Sequence, residues 1–110
     1  MTRKEYNKLI RDQIPEILEA QNIAFSVEEM TETEYRRALR AKLMEEAEEA
    51  AEADDADLMT ELADLLEVID ATLAAYGIPR SQVLEIQTKR RTERGGFMQK
   101  LRLLWTDNSH

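Results

Sequence analysis

The stretch Lys42–Asp70, KLMEEAEEAAEADDADLMTELADLLEVID, decides how the chain is read. It forms two helical segments joined by a short acidic turn at Asp54-Asp55. On the first segment an apolar stripe runs Tyr35, Leu39, Leu43, Ala47 and Ala50. At about 100° per residue, Glu46 points into the middle of that stripe, and Glu49 sits one turn on, at its edge. On the second, the stripe is Leu58, Leu62, Leu65, Leu66, Ile69, Leu73 and Tyr76, flanked by Glu61 and Asp64. Glu61 and Asp64 are three residues apart and therefore neighbours on a helix surface. A lone buried carboxylate is strongly disfavoured, so it must be paired, protonated or bound to a cation. Four carboxylates on facing helices repel unless positive charge sits among them. Oxygen-only ligands suit a hard divalent ion such as Mg²⁺ or Mn²⁺. The competing view is a solvated acidic face, and it is preferred for Glu48, Glu52, Asp54 and Asp55.

Size and composition narrow the options. A chain of 110 residues is read as one domain over 1–105 with a modest core, followed by a loose tail at 106–110. With 3 Gly and 2 Pro it has little turn material, which points to long helices. A net charge of −8 argues against nucleic acid as a partner. Local basic clusters at Arg3–Arg11, Arg36–Lys42 and Lys89–Arg102 still leave room for a phosphorylated small molecule. The absence of cysteine removes disulfides, thiolate metal sites and thiol nucleophiles. No signal-peptide core and no membrane-length apolar run is present, so no membrane association is expected and cytoplasm is the default location.

Four helices are expected, making an all-α helical bundle with the carboxylate hairpin at its centre. Asp12 is the expected cap of a short first helix that tolerates Pro15 in its first turn. Thr31 with Glu34 has the form of a capping box opening a helix over about 33–53. Asp57 is the expected cap of a helix over about 58–76, which stops at Gly77 before Pro79. Ser81 is the expected cap of a last helix reaching about Arg94, where Gly95-Gly96 ends it. Residues 23–27 and 101–105 alternate enough to be short extended segments or strands. The second long helix is apolar on two sides, because Val68, Ala71 and Ala75 follow the direction of Glu61 and Asp64. Such a helix is central or partly covered by another subunit, so a homodimer or homotetramer is expected.

The segments EEAEE at 45–49 and ELAD at 61–64 resemble the EExxE and ExxD motifs of the MazG-like all-α nucleoside triphosphate pyrophosphohydrolases. The flanking KLMEEAEE and ELADLLEVIDA, with YNKLIRDQIPEIL and KRRTERGGF, are similar to a short subgroup often labelled phosphoribosyl-ATP pyrophosphohydrolase-like. The likeness spans about Tyr6 to Phe97. Only 11 residues separate Glu49 from Glu61, marginally fewer than is usual in that family, which implies a shorter hairpin.

The resemblance implies Mg²⁺-dependent cleavage of a nucleoside triphosphate to the monophosphate and pyrophosphate, with clearing of non-standard nucleotides as a role. By motif, Glu46, Glu49, Glu61 and Asp64 are the metal ligands, and Glu45 holds a further ion or positions water. Lys8, Arg11, Lys42, Lys89 and Arg94 are the candidates for holding phosphates. Arg90 and Arg91 are assigned to the surface. An alternative substrate within the same chemistry is phosphoribosyl-ATP, in histidine synthesis. A rival of another class is a non-catalytic helical interaction module whose carboxylates are only surface charge. Gly95-Gly96 lacks the spacing of a phosphate loop, and Asp54-Asp55-x-Asp57 lacks the glycine of a calcium loop. His110 is set aside as a catalytic base. Trp105 and Tyr76 are assigned to core or subunit contacts.

Overall fold

A computed structural model describes residues 2–107. His110 and the last residues of the 106–110 tail lie outside that range. The described chain is all-α: α1 (Ile14–Ala20), α2 (Glu32–Glu52), α3 (Asp55–Ala75) and α4 (Arg80–Arg94), with no strand among the described residues. Residues 23–27 and 101–105, expected to be extended or stranded, are neither helix nor strand. Neither run is paired with another segment in a ladder among the described residues. Two compact units are distinguished, Met1–Ile78 and Pro79–His110.

Within the first unit, α2 begins as the capping box requires. The Glu34 N–H donates to Thr31 Oγ1 at 3.2 Å, and the Thr31 N–H donates to Glu34 Oε1 at 2.9 Å. These bonds satisfy two of the backbone donors left free at a helix start. α2 and α3 are each 21 residues long, about 31 Å at the usual rise. Only Ala53 and Asp54, both extended, link them. So short a link folds α3 back along α2 as an antiparallel pair, and the two helices pack on each other. α3 ends at Gly77, whose φ of +63° is left-handed. The Ile78 N–H then reaches the Leu73 carbonyl at 2.9 Å, a Schellman closure. α1 ends the same way at Asn22 (φ +57°), with the Ile23 N–H on the Leu18 carbonyl at 3.0 Å.

Three expected caps are not the observed ones. α1 starts after Gln13 rather than Asp12, with no side-chain cap and with Pro15 in the first turn. α3 starts at Asp55, so Asp57 lies inside its first turn instead of capping it. There its charge still complements the helix dipole. α4 follows Pro79, and Ser81 is already helical.

The core of the hairpin differs from the expected stripes. Among the described residues the buried side chains are Leu39 (2% exposed), Val68 (9%) and Glu46 (9%). On α3 the side packed on α2 carries Glu61, Asp64, Leu65 and Val68. Leu58, Leu62 and Leu66, expected to be packed, are exposed, the last two at 45% and 50%. On α2, Ala47 is exposed although it belongs to the expected stripe. The physical reason is that α3 has two apolar sides and α2 can cover only one. α2 takes the side that carries Val68, Glu61 and Asp64.

In the second unit, α4 ends at Gly95, whose φ of +82° breaks the helix. Phe97, Leu101, Leu103, Leu104 and Trp105 beyond it are exposed. Trp105, expected as a core or subunit contact, is not covered within this chain.

Candidate active site

Four carboxylates gather where α2 and α3 face each other. Glu46, one turn after Lys42 and nearly in line with Leu39, enters the hairpin from α2. Glu61 and Asp64 enter from α3, one turn apart. Each of the three offers an oxygen, and these oxygens lie within 4.8 Å of one another. Glu49, at the exposed edge of α2, lies within hydrogen-bonding reach of both Glu46 and Glu61. Glu45 is not in the central group. It sits at the rim, where Lys8 Nζ donates to its Oε1 at 3.0 Å and Lys42 Nζ lies 3.7 Å from its Oε2.

The electrostatics follow from this layout. Burial, and then the neighbouring Glu49 charge, push the Glu46 carboxyl above the usual range. Asp64 pushes the same way, while Lys42, 3.8 Å from Glu46 Oε1, pulls it down. Burial also raises Glu61, with Glu49, Asp64 and Asp57 adding to the shift. Glu45 goes the other way, lowered first by its bond from Lys8. Arg11 Nη2 donates to Asp64 Oδ1 at 2.8 Å. Lys8 and Arg11 thus reach the hairpin from the segment before α1, a contact across 37 and 53 residues of sequence.

Whether these residues suit a cation can be judged from their oxygens. Glu46 Oε2 and Glu61 Oε2 are buried without a hydrogen-bond partner. A buried acceptor left so costs roughly 1–3 kcal/mol, and more when charged. Five carboxylates, Glu45, Glu46, Glu49, Glu61 and Asp64, meet three cations, Lys8, Arg11 and Lys42. The donor set is oxygen-only, converging and in excess negative charge. It fits a hard divalent ion.

The remaining residues expected at the site are placed as follows. Lys89 and Arg94 lie on α4 in the second unit, and Lys89 Nζ is 4.0 Å from Glu93 Oε1, a helix-surface pair. Tyr76 is half-buried and accepts a hydrogen bond from Arg40 Nε at 2.8 Å. The involvement of Arg36 and Arg40 with Tyr76 had no sequence signal beyond the basic cluster at 36–42, because it depends on α3 folding back.

An all-α hairpin that gathers inward carboxylates, with basic side chains at its mouth, is the frame of a hydrolase acting on phosphoanhydrides. The profile described as phosphoribosyl-ATP pyrophosphohydrolase matches residues 3–91, and the chain belongs to that family. It is therefore a pyrophosphohydrolase acting on a phosphoanhydride bond, not a non-catalytic helical module. The match takes in Lys8, Arg11, the whole α2–α3 hairpin and Lys89. It stops before Arg94 and the Gly-Gly pair. No curated protein and no solved structure matches the chain.

Proposed function

We propose that the chain cleaves the bond between the α and β phosphates of a nucleotide, releasing pyrophosphate and leaving a monophosphate. Glu46, Glu49, Glu61 and Asp64 would hold Mg²⁺, with Mn²⁺ as a substitute. The observation that carries this reading is the pair of unpartnered buried oxygens, Glu46 Oε2 and Glu61 Oε2, beside Asp64. A bound divalent ion would offset charge developing on phosphate oxygens and lower the pKa of the attacking water. Glu45, kept ionised by Lys8 and Lys42, is suited to accept a hydrogen bond from that water and orient it. Lys8, Arg11 and Lys42 supply positive charge at the mouth, where phosphates would enter. Lys89 and Arg94 on α4 are further phosphate-holding residues, Arg94 by resemblance alone.

Cysteine is absent from the chain, and the carboxylates that converge here are suited to hold an ion rather than to attack phosphorus. Water therefore attacks directly and no phosphoenzyme forms. Turnover in ¹⁸O-water puts one label into one product per cycle. A trapped phosphoenzyme would refute the scheme.

Two substrate assignments follow from the same site. A nucleoside triphosphate, including a non-standard one removed in house-cleaning, needs only the triphosphate to be held. Phosphoribosyl-ATP, in histidine synthesis, is supported by the family to which the chain belongs. A panel of nucleoside triphosphates, their deoxy and non-standard forms, and phosphoribosyl-ATP, assayed for pyrophosphate release with Mg²⁺, separates the two. No release from any of them, with Mg²⁺ or Mn²⁺, would overturn the proposal.

The chain is also proposed to work as a homodimer or homotetramer, on the strength of Leu58, Leu62 and Leu66 lying exposed along α3. No helix among the described residues is long and apolar enough to cross a membrane.

A further inference from the structure

A second concentration of charge lies on the same hairpin. Thr33, Arg36, Arg37, Arg40 and Tyr76 line a surface hollow of about 410 Å³. The Arg36 and Arg40 guanidiniums both lie over the Tyr76 ring, at 4.9 and 5.1 Å from its centre. Stacking of this kind favours a guanidinium over an aromatic face and limits its freedom. Both side chains are further fixed through Nε. Arg40 Nε donates to the Tyr76 hydroxyl at 2.8 Å, and Arg36 Nε donates to Glu32 Oε1 at 3.3 Å. The terminal Nη groups, which form the fork that grips a phosphate, are not used in those bonds.

This hollow is separate from the carboxylates. At about 100° per residue around α2, measured from buried Leu39, Arg36 and Arg40 turn to one side by about 60° and 100°. Lys42, Glu49 and Glu45 turn to the other side by about 60°, 80° and 120°. The two sets therefore occupy opposite flanks of the hairpin. The protein as a whole carries a net charge of −8, so this set of three arginines, like the basic clusters at Arg3–Arg11 and Lys89–Arg102, is a local departure from its overall field.

We propose that Thr33, Arg36, Arg37, Arg40 and Tyr76 form a second binding site, for a phosphate-bearing anion, on the flank away from the carboxylates. A phosphate group suits it better than a carboxylate. Three guanidiniums and a hydroxyl match a doubly charged group with three free oxygens, whereas a carboxylate offers one charge and two oxygens. The phosphate can come from free pyrophosphate, inorganic phosphate or the phosphate end of a nucleotide.

The test is calorimetric titration of the full chain with pyrophosphate, inorganic phosphate and adenosine monophosphate in separate arms, with a chelator present. Comparing the arms names the source of the phosphate. With the chelator present, binding does not depend on an ion at the carboxylates. The double variant Arg36→Ala/Arg40→Ala should lose about tenfold or more in affinity for whichever anion binds, as expected for removal of a charge-assisted fork. Asp64→Ala should leave it within about twofold, since Asp64 does not line the hollow. Arg40→Lys keeps the charge and removes the fork, and should fall between wild type and the double variant. Circular dichroism checks that each variant is folded. Three results would overturn the proposal: no anion bound by wild type, a double variant that binds as wild type does, or Arg40→Lys indistinguishable from wild type.

Discussion

The two apolar sides of α3 make opposite uses of similar material. The side against α2 holds Val68 and Leu65, but also Glu61 and Asp64, within a packed contact. The first half of the other side, Leu58, Leu62 and Leu66, faces solvent, while Ile69 and Leu73 further along it are half-buried. A helix placed by greasiness alone would pack the leucines and expose the acids. The observed arrangement places Glu46, Glu61 and Asp64 in a buried to half-buried part of the hairpin. There Glu46 and Glu61 titrate above the normal range, and an oxygen of each lacks a partner. On the proposed function, the packed side would carry the chemistry and its unpartnered oxygens would cost stability. On the proposed assembly, the exposed leucines would be covered by a second copy.

The largest effect that can break this comparison is on activity. Glu46→Ala and Asp64→Ala should each cut pyrophosphate release by about a hundredfold or more, as removal of a central electrostatic group does. Far-ultraviolet circular dichroism should be unchanged. Activity near wild type in either variant would mean that the packed acids are not the working groups.

The opposite side is probed by charge. Leu62→Glu combined with Leu66→Glu should convert the assembly to monomer, read as molar mass by light scattering after size exclusion. Burying unpaired carboxylates at an interface is far more unfavourable than leaving leucines there. If wild type is itself monomeric at tens of micromolar, the exposed leucines cover no second copy.

A smaller effect sharpens the idea that the acids cost stability. With a chelator present, Glu46→Gln should raise the melting temperature by a few degrees, about 1 kcal/mol, by relieving like-charge crowding. Adding Mg²⁺ or Mn²⁺ should stabilise wild type more than the variant. A metal-free melting temperature lower in Glu46→Gln than in wild type would contradict the crowding.

The subtlest check uses pH. Glu46 and Glu61 are raised in the folded chain, so the folded state holds their protons more tightly than the unfolded state. Their contribution to stability is complete below the unfolded carboxyl pKa and is lost as pH rises through the folded values. Glu34 and Glu45 are lowered, and their contribution is lost instead as pH falls. In chelator, the advantage of Glu46→Gln over wild type should therefore widen from about pH 4.5 upward. An advantage that is constant or shrinks over that range would show that Glu46 is not held above its ordinary value.

Parts of this molecule were legible without coordinates because they depend on neighbours in sequence. The capping box at Thr31 and Glu34, the glycine stop at Gly77 and the inward direction of Glu46 are of that kind. So is the pairing of Glu61 with Asp64, one turn apart. The caps at Asp12, Asp57 and Ser81 were misplaced because none of these three helices is opened by a side-chain cap. The caps observed are Gln13, Asp54 and Pro79, one, three and two residues away. Arg11 was legible as a candidate, but its bond to Asp64 was not, since it spans 53 residues.

By itself, then, the amino-acid order determined that the chain is helical, where its two long helices run, and which acids lie one turn apart on each. Those properties follow from helical periodicity and local hydrogen bonding. Only the tertiary structure decided which of α3's two apolar sides meets α2. Both sides satisfy the same periodicity, so periodicity alone cannot choose between them. That choice brought Glu46, Glu61 and Asp64 within reach of a shared ion and left Leu58, Leu62 and Leu66 outside.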